Sequence, residues 1–195
     1  MSKIDTSNWI EFSMKELGFD NFHGKRLTKK DRIVGTIPFI TAGKENQGVV
    51  GYIGNNWPTY HNPITVDMFG NVFYHKGDFA GDDNIYFFVN NQINEYSKLF
   101  IVSSIQCSLK AVFAYVDQFR QDNADELKIL LPAKGNEPDW HYMEMYMRGV
   151  EAIVKNKLSL LVPHKTEVAI KDAANVTFNN ANVTYIDQSK TFNVK

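Results

Sequence analysis

The sequence contains a single cysteine, Cys107, in 195 residues. One thiol cannot form an internal disulfide or a zinc site, which favours a reducing compartment. No apolar run approaches the roughly 18 residues that a membrane-spanning helix needs. Residues 2–16 mix polar and aromatic side chains, unlike a signal peptide. We therefore expect a cytoplasmic protein with no membrane association.

The sequence also has almost no net charge. It carries 21 lysines and arginines against 22 aspartates and glutamates, a formal net charge of −1 at pH 7. Overall electrostatics would therefore not drive the chain onto nucleic acid, and such a role would need a local basic patch or a basic partner. The length and the 44% hydrophobic content favour one compact domain with an appendage and a buried core.

Recognisable catalytic motifs are missing from the sequence. No Walker-type loop, dinucleotide-binding glycine motif, nucleophile elbow or DNA-methyltransferase motif is present. The histidines are scattered, with no pair at the spacing of metal ligands on a helix: His23, His61, His75, His141 and His164. We therefore expect no catalytic residue, no metal and no cofactor.

Two acidic segments leave alternatives open. Residues 77–84 hold three carboxylates but lack the alternating ligands and terminal glutamate of a calcium loop, which favours a turn or a strand entry. Glu126-Leu127-Lys128 has the Glu-x-Lys form of many metal-dependent nucleases, with Asp117 and Asp122 as the acidic residues available upstream. Because three-residue motifs are common by chance, a nuclease remains a minor alternative.

Short β-branched and aromatic segments separated by turn residues dominate the first 95 positions and predict strands. The predicted strands are Pro38–Thr41, Val49–Ile53, Ile64–Phe69, Val72–Tyr74 and Ile85–Val89, with Leu127–Pro132 further along. We therefore predict an α+β fold whose first domain is a curled, mostly antiparallel β-sheet.

Apolar residues at intervals of three and four predict two helices. The first lies within residues 96–119 and packs on the sheet through Ile101, Ile105, Leu109, Val112, Phe113 and Val116. The second begins at Asp139, a plausible N-cap, and ends before Pro163. Its heptad-like seam is Met143, Met147, Val150, Val154, Leu158 and Leu161. This seam either packs on its own domain or faces a partner or a second copy.

The last 32 residues form a separate segment of the sequence. Asn175–Phe178 and Asn182–Tyr185 are near-copies joined by Asn179-Asn180-Ala181, which predicts a β-hairpin. The predicted organisation is thus a domain at 1–138, a helix at 139–163 and a tail at 164–195.

A basic cluster precedes a small, polar segment. The cluster consists of Lys25, Arg26, Lys29, Lys30 and Arg32, which supply the fixed positive charge that phosphate binding needs. The short polar side chains suited to contacts with base edges are Thr41, Lys44, Asn46, Gln47 and Asn71. On composition alone, a solvated loop remains the simpler interpretation.

The order of several segments resembles the target recognition domains of type I restriction-modification specificity subunits, above all those with relatives in BcgI-like systems. These segments are residues 24–27, 31–33, 38–43, 46–53, 64–74, 127–132, 138–140 and 142–144. The resemblance covers residues 8–155, whereas the tail matches no pattern of the family.

The resemblance implies a non-catalytic module that recognises double-stranded DNA. In such systems, two recognition domains joined by long helices each bind half of a bipartite site, while a DNA adenine methyltransferase subunit and a restriction subunit act on the DNA. This chain resembles half of a specificity subunit, in which residues 1–138 would be the recognition domain and residues 139–163 the spacer or dimerisation helix. We therefore expect a homodimer. The alternative is a protein-interaction module, a decoy or remnant, that binds the methyltransferase subunit without recognising DNA.

Overall fold

The computed structural model describes residues 4–109, 113 and 116–161. The predictions for Val112, for the Leu161 side chain and for the tail hairpin lie outside the described residues and side chains. The residues up to Val150 form one compact unit, and a second unit begins at Glu151. The strands are β1 (Ile10–Ser13), β2 (Asp20–His23), β3 (Val34–Ile40), β4 (Val49–Ile53), β5 (Tyr60–His61), β6 (Ile64–Asp67), β7 (Val72–Tyr74), β8 (Asp78–Gly81), β9 (Ile85–Val89), β10 (Lys128–Leu131), β11 (Ala133–Lys134) and β12 (Glu137–Pro138).

One antiparallel sheet has the strand order β2-β9-β6-β7. Its central strands β6 and β9 are buried along nearly their whole length. Both strands consist mainly of β-branched and aromatic residues, which suit a strand covered on both faces.

A second sheet has the order β4-β3-β8-β5. Strands β3 and β4 form an antiparallel hairpin with two register shifts, and β3 pairs with β8 in parallel. The strand β8 occupies part of the acidic segment 77–84 that the sequence assigned to a turn or a strand entry. The remaining pairs, β1 with β10 and β11 with β12, are antiparallel.

The helices are α1 (Glu95–Ser108), α2 (Gln121–Asp125) and α3 (Trp140–Leu161). Asn94 is the N-cap of helix α1, and its side chain accepts a hydrogen bond of 3.0 Å from the Ser97 amide. Its buried face contains Phe100, Ile101 and Ile105.

The sequence predicts too late an end for the first helix, at residue 119. Helix α1 ends at Ser108, and Val116 lies in a bend with its side chain 95% exposed. Leu109 and Phe113 still pack against the main core. The apolar spacing therefore continued past the helix because side chains of the following segment also cover the core.

Helix α3 begins as the sequence predicts. The Asp139 carboxylate accepts a hydrogen bond of 2.9 Å from the Tyr142 amide, as an N-cap side chain does. In the described part of the chain, no helix is long and apolar enough to cross a membrane.

The main core lies between the β2-β9-β6-β7 sheet, helix α1 and the β1–β10 pair, with Met143 of helix α3 fully buried in it. A smaller core beneath the β3–β4 hairpin consists of Leu27, Phe39, Ile53 and Ala80. The predicted α+β fold with a mostly antiparallel sheet and a packed helix is confirmed.

Two ionisable side chains are buried in this fold. His75 contacts the Thr65 hydroxyl through Nε2 at 2.8 Å, and burial lowers its pKa from 6.5 to about 4. The Lys98 ammonium donates to the Asn62 carbonyl at 2.8 Å, and burial likewise lowers its pKa.

Candidate nucleic-acid interface

The loop of residues 41–48 connects β3 to β4 and is closed at its base by its own backbone. The Thr41 amide donates to the Gly48 carbonyl at 2.9 Å. Gly48 has φ +82°, and a Cβ there would lie 2.8 Å from the Thr41 carbonyl oxygen. Glycine at this position therefore permits both the left-handed backbone and the close approach of the two loop ends.

The tip of the loop has an unusual backbone. Asn46 (φ 47°, ψ 37°) and Gln47 (φ 54°, ψ 32°) are consecutive left-handed residues, each disfavoured by roughly 1–2 kcal/mol for an ordinary side chain. The side-chain amide of Asn46 donates through Nδ2 to the Val49 carbonyl at 3.2 Å, which stabilises the turn. Both side chains are exposed. Such a backbone persists only where its surroundings determine it.

Asp67 links this loop to the turn between β6 and β7. Its carboxylate is buried and accepts hydrogen bonds from the backbone amides of Gly43 at 2.8 Å, Phe69 at 2.9 Å and Asn71 at 2.9 Å. The Asn71 side chain donates a fourth hydrogen bond, at 2.7 Å. One buried carboxylate therefore fixes the position of the 41–48 loop relative to the β6–β7 turn.

The five residues predicted for base contacts differ in their surroundings. Lys44, Asn46 and Gln47 are exposed, whereas Thr41 and Asn71 are half-buried. Because the Asn71 side chain is engaged with Asp67, its observed role is to hold the turn. Lys44, Asn46 and Gln47 thus lie together, exposed, in one loop.

Three members of the basic cluster have partners within the domain. The Lys25 ammonium lies 4.6 Å from the centre of the Trp57 ring, and the Arg32 guanidinium lies 4.6 Å from the centre of the Phe39 ring. Arg32 Nε also donates to the Leu27 carbonyl at 3.3 Å. Arg26 is paired with Asp83 at 3.4 Å, but its side chain remains 71% exposed. A pair this exposed is weak, so the Arg26 guanidinium remains largely accessible to solvent.

Lys29 and Lys30 are exposed, like Lys25 and Arg26, and lie on a short 3₁₀ turn. Asn55 holds the segment that follows, because its side chain accepts from the Ile33 amide at 2.8 Å and donates to the Asp31 carbonyl at 3.0 Å. The turn is therefore fixed at the end of strand β4, with both ammonium groups directed to solvent.

The basic cluster and the 41–48 loop lie at opposite ends of strand β3. The seven residues of β3 span about 20 Å at the usual rise of a strand. The structure separates them by a distance close to the width of a DNA duplex.

The predicted seam of helix α3 has two parts. Met143 is fully buried in the main core and Met147 packs against it, so these residues stabilise their own domain rather than face a partner. Further along the helix, Val150 is half-buried, while Val154 and Leu158 are 49% and 54% exposed. The nearby Ile153 is also exposed. The partner-facing interpretation therefore fits only the later part of the seam.

The acidic residues of segment 77–84 contact different partners in the structure. Asp78 contacts His61 at 2.7 Å, Asp82 accepts from the Leu27 amide at 3.0 Å, and Asp83 pairs with Arg26. Lys128 of the Glu-x-Lys segment lies 3.9 Å from Glu11. Among the described residues, no group of three or more histidine, cysteine, aspartate or glutamate side chains is placed to hold a metal ion.

Asp67 and Asn55 are the residues that inspection of the sequence missed. Asp67 ends a buried strand and precedes Met-Phe-Gly-Asn, a context in which an aspartate commonly accepts hydrogen bonds from the next turn. That signal predicts the contacts with Phe69 and Asn71. The contact with Gly43, 24 positions away, depends on the tertiary fold and has no local signal.

Residues 6–161 match the model of the type I restriction modification DNA specificity domain. The chain is 33% identical over 151 residues to the specificity subunit S.BcgI of a type II restriction enzyme from Heyndrickxia coagulans, an alignment that covers 74% of the chain and 44% of that protein. It thus spans less than half of the length of this curated relative.

Solved structures of specificity subunits share the fold. The S subunit of a type I restriction-modification system from M. genitalium superposes with a TM-score of 0.54 at 18% identity, covering 86% of this chain and 44% of that one. The HsdS subunit from Thermoanaerobacter tengcongensis gives 0.54 at 11% identity, covering 86% and 43%. In both cases this chain corresponds to less than half of the solved protein.

Proposed function

The chain belongs to the family of type I restriction modification DNA specificity domains, and on that premise we propose that it is a sequence-specific DNA-binding subunit without catalytic activity. It directs methyltransferase and restriction subunits to a target site. The observation that carries this proposal is the 41–48 loop, whose strained tip presents Asn46 and Gln47 to solvent while a buried carboxylate holds its base. Side chains of this kind form paired hydrogen bonds with adenine in the major groove.

A rigid loop suits this task because a base contact needs a side chain in a fixed position. A flexible loop would lose conformational entropy on binding, whereas a loop already held by hydrogen bonds loses less. Lys44 adds a positively charged donor that can reach a guanine or a neighbouring phosphate. Phosphate contacts fall to Lys29 and Lys30, with Arg26 available once it leaves Asp83.

Selection from a randomised duplex library at about 0.1 M salt tests the proposal, performed with the protein alone and with its methyltransferase partner. Enrichment of a short motif in either experiment supports sequence-specific binding. Two copies of that motif at a fixed separation indicate a dimer that binds an interrupted palindrome. Retention of no DNA in both experiments would overturn the proposal.

The double substitution Lys29→Ala/Lys30→Ala is expected to weaken binding about equally for all DNA sequences. Two fewer neutralised phosphates should reduce the slope of log affinity against log salt by about 1.8. Titrations of the selected duplex and a scrambled duplex at several salt concentrations measure this slope. Lys15→Ala, at an exposed lysine on another surface, is the matched control and should leave the slope unchanged. A double variant with the wild-type slope would remove these lysines from the interface.

We further propose that helix α3 connects two copies of the chain, or the chain and its methyltransferase. Ile153, Val154 and Leu158 are exposed apolar side chains on that helix, which a partner helix would cover. Residues 1–138 then form the recognition domain, and the helix beginning at residue 139 is both a support for that domain and a connector.

The double substitution Val154→Glu/Leu158→Glu is expected to abolish this association. Two buried charges at the contact would oppose it, whereas the DNA-binding loop is untouched. Light scattering measures the dimer, and co-purification measures methyltransferase binding. Ala152→Glu/Asn156→Glu introduces the same charges at the same spacing on exposed positions of the same helix. This control variant should assemble like the wild type. If Val154→Glu/Leu158→Glu also assembles like the wild type, the helix is not the connector.

The exposed apolar part of helix α3 also favours the second candidate, a protein-interaction module that binds the methyltransferase without recognising DNA. The basic cluster discriminates between the two functions. Under the first, the Lys29/Lys30 variant loses DNA affinity but still co-purifies with the methyltransferase; under the second, the wild type retains no duplex and only co-purification is observed.

A further inference from the structure

The β3–β4 hairpin has one buried face and one open face. The buried face contributes Phe39 and Ile53 to the smaller core, with Ile37 packed against it. The outer face, as we name it, consists of Val34, Thr36 and Pro38 on β3 and of Val50 and Tyr52 on β4. Tyr52 is directly opposite Pro38 in the strand register. Val34, Val50 and Tyr52 are 92%, 53% and 60% exposed.

This composition is unusual for a solvent-facing strand pair. Antiparallel sheets with one buried face commonly place polar side chains on the other. Here none of the five residues of the outer face carries a charge, and four of them are apolar or aromatic. Contiguous exposed apolar residues commonly mark an interaction site, whereas single exposed ones do not.

The charges at the two ends of the hairpin indicate the chemistry of the partner. Lys29 and Lys30 precede β3 at one end, and the exposed Lys44 lies in the loop at the other. Two acidic residues accompany these lysines: Asp31, which lies in the 3₁₀ turn and accepts a hydrogen bond from the Thr28 hydroxyl, and Glu45 in the loop. A partner that matches this surface is anionic at two edges about 20 Å apart and has apolar groups between them.

We propose that the outer face lies in the major groove of DNA and that Val50 and Tyr52 contact the C5-methyl groups of thymine; this inference rests on the proposed function. The major groove is about 12 Å wide and admits a two-stranded β-ribbon. Phosphates border it on both sides, within reach of lysines at the two ends of the hairpin. The thymine methyl is its apolar group. A second copy of the chain or the tail segment would cover apolar residues equally well, but neither accounts for lysines at both ends.

Substitution of deoxyuridine for thymine tests the contact because it removes only the methyl group. In the duplex obtained by selection, each thymine is replaced in turn and affinity is measured with the wild type, with Val50→Ser and with Tyr52→Ser. At one or two positions the wild type should bind the deoxyuridine duplex about fourfold more weakly than the thymine duplex, because one methyl group is no longer buried against the protein. At those positions Val50→Ser or Tyr52→Ser should bind the two duplexes equally.

The matched control is Leu130→Ser, which removes an exposed apolar side chain on another strand and should keep the wild-type difference between thymine and deoxyuridine. Thermal melting verifies that each variant is folded. Three results would overturn the inference. The wild type could bind every deoxyuridine duplex as tightly as the thymine duplex, both hairpin variants could keep the wild-type difference in affinity, or the selected site could lack A·T pairs. In these cases sequence-selective binding itself stands, and so does the proposed function.

Two other results would show that something other than DNA covers the outer face, or that the chain does not bind DNA at all. Loss of dimerisation in the Val50→Ser and Tyr52→Ser variants, with DNA binding intact, would assign the outer face to a contact between two copies and overturn the DNA contact. Failure of the wild type to retain any duplex, with or without the methyltransferase, would overturn both the inference and the proposed function.

Discussion

Replacement of Asp67 by alanine is expected to lower the melting temperature by about 6–12 °C. The carboxylate accepts three backbone hydrogen bonds and one from a side chain, and its loss leaves donors unpaired in a largely buried environment. A destabilisation of about 3 kcal/mol follows, and each kcal/mol corresponds to roughly 2–4 °C for a domain of this size. Thermal unfolding of the purified chain measures the effect.

Amide hydrogen exchange would then show where the Asp67→Ala variant is loosened. The amides of Gly43, Phe69 and Asn71 should exchange faster than in the wild type, whereas amides in β9 should follow global stability alone. Asp117→Ala, at an exposed carboxylate in a bend, is the matched control and should melt within about 1 °C of the wild type, as surface substitutions usually do. An Asp67→Ala variant as stable as this control would show that the carboxylate is dispensable.

Acidification is the second large expected effect, and it acts through His75. Burial lowers the pKa of this imidazole from 6.5 to about 4, so between these values the unfolded chain binds a proton that the folded chain does not. Stability from this source is complete above pH 6.5 and is lost as the pH falls toward 4. The difference of 2.5 units corresponds to about 3 kcal/mol.

The measurement is urea unfolding of the wild type and of His75→Gln at pH 7, 6 and 5. Glutamine can still hydrogen-bond to Thr65 but does not titrate, so the wild type should lose more stability between pH 7 and pH 5 than the variant. His141→Gln, at an exposed histidine, should retain the wild-type dependence. Equal pH dependences of the wild type and His75→Gln would contradict the assignment, whatever the variant's absolute stability.

Local sequence patterns sufficed for the elements whose burial is local. Strands β4, β6, β7 and β9 and the start of helix α3 lie where β-branched residues and an N-cap aspartate predict them. Strands β1 and β2 were missed because their residues mix polar and aromatic side chains, and their partners are distant in sequence. The end of helix α1 was also missed, since apolar spacing continues beyond it.

The candidate site could be predicted by residue type but not by arrangement. Asn46, Gln47 and Lys29 stand out as polar or basic residues in the sequence, yet their separation by a whole strand depends on the pairing of β3 with β4. Likewise, Arg32 and Asn71 have the side chains of a DNA contact, but the fold engages them with Phe39 and Asp67. Only tertiary structure distinguishes a side chain used within the domain from one left available to a ligand.

The way in which Asp67 holds the 41–48 loop has a consequence for the evolution of target choice. At Gly43 the contact is to the main chain, and the loop is closed through backbone groups of Thr41 and Gly48. None of these bonds involves the side chains of Lys44, Glu45 or Gln47, so mutations at these three positions leave the anchoring intact. Under the proposed function, a new recognition sequence would therefore arise by substitution at the loop tip without a redesign of its support.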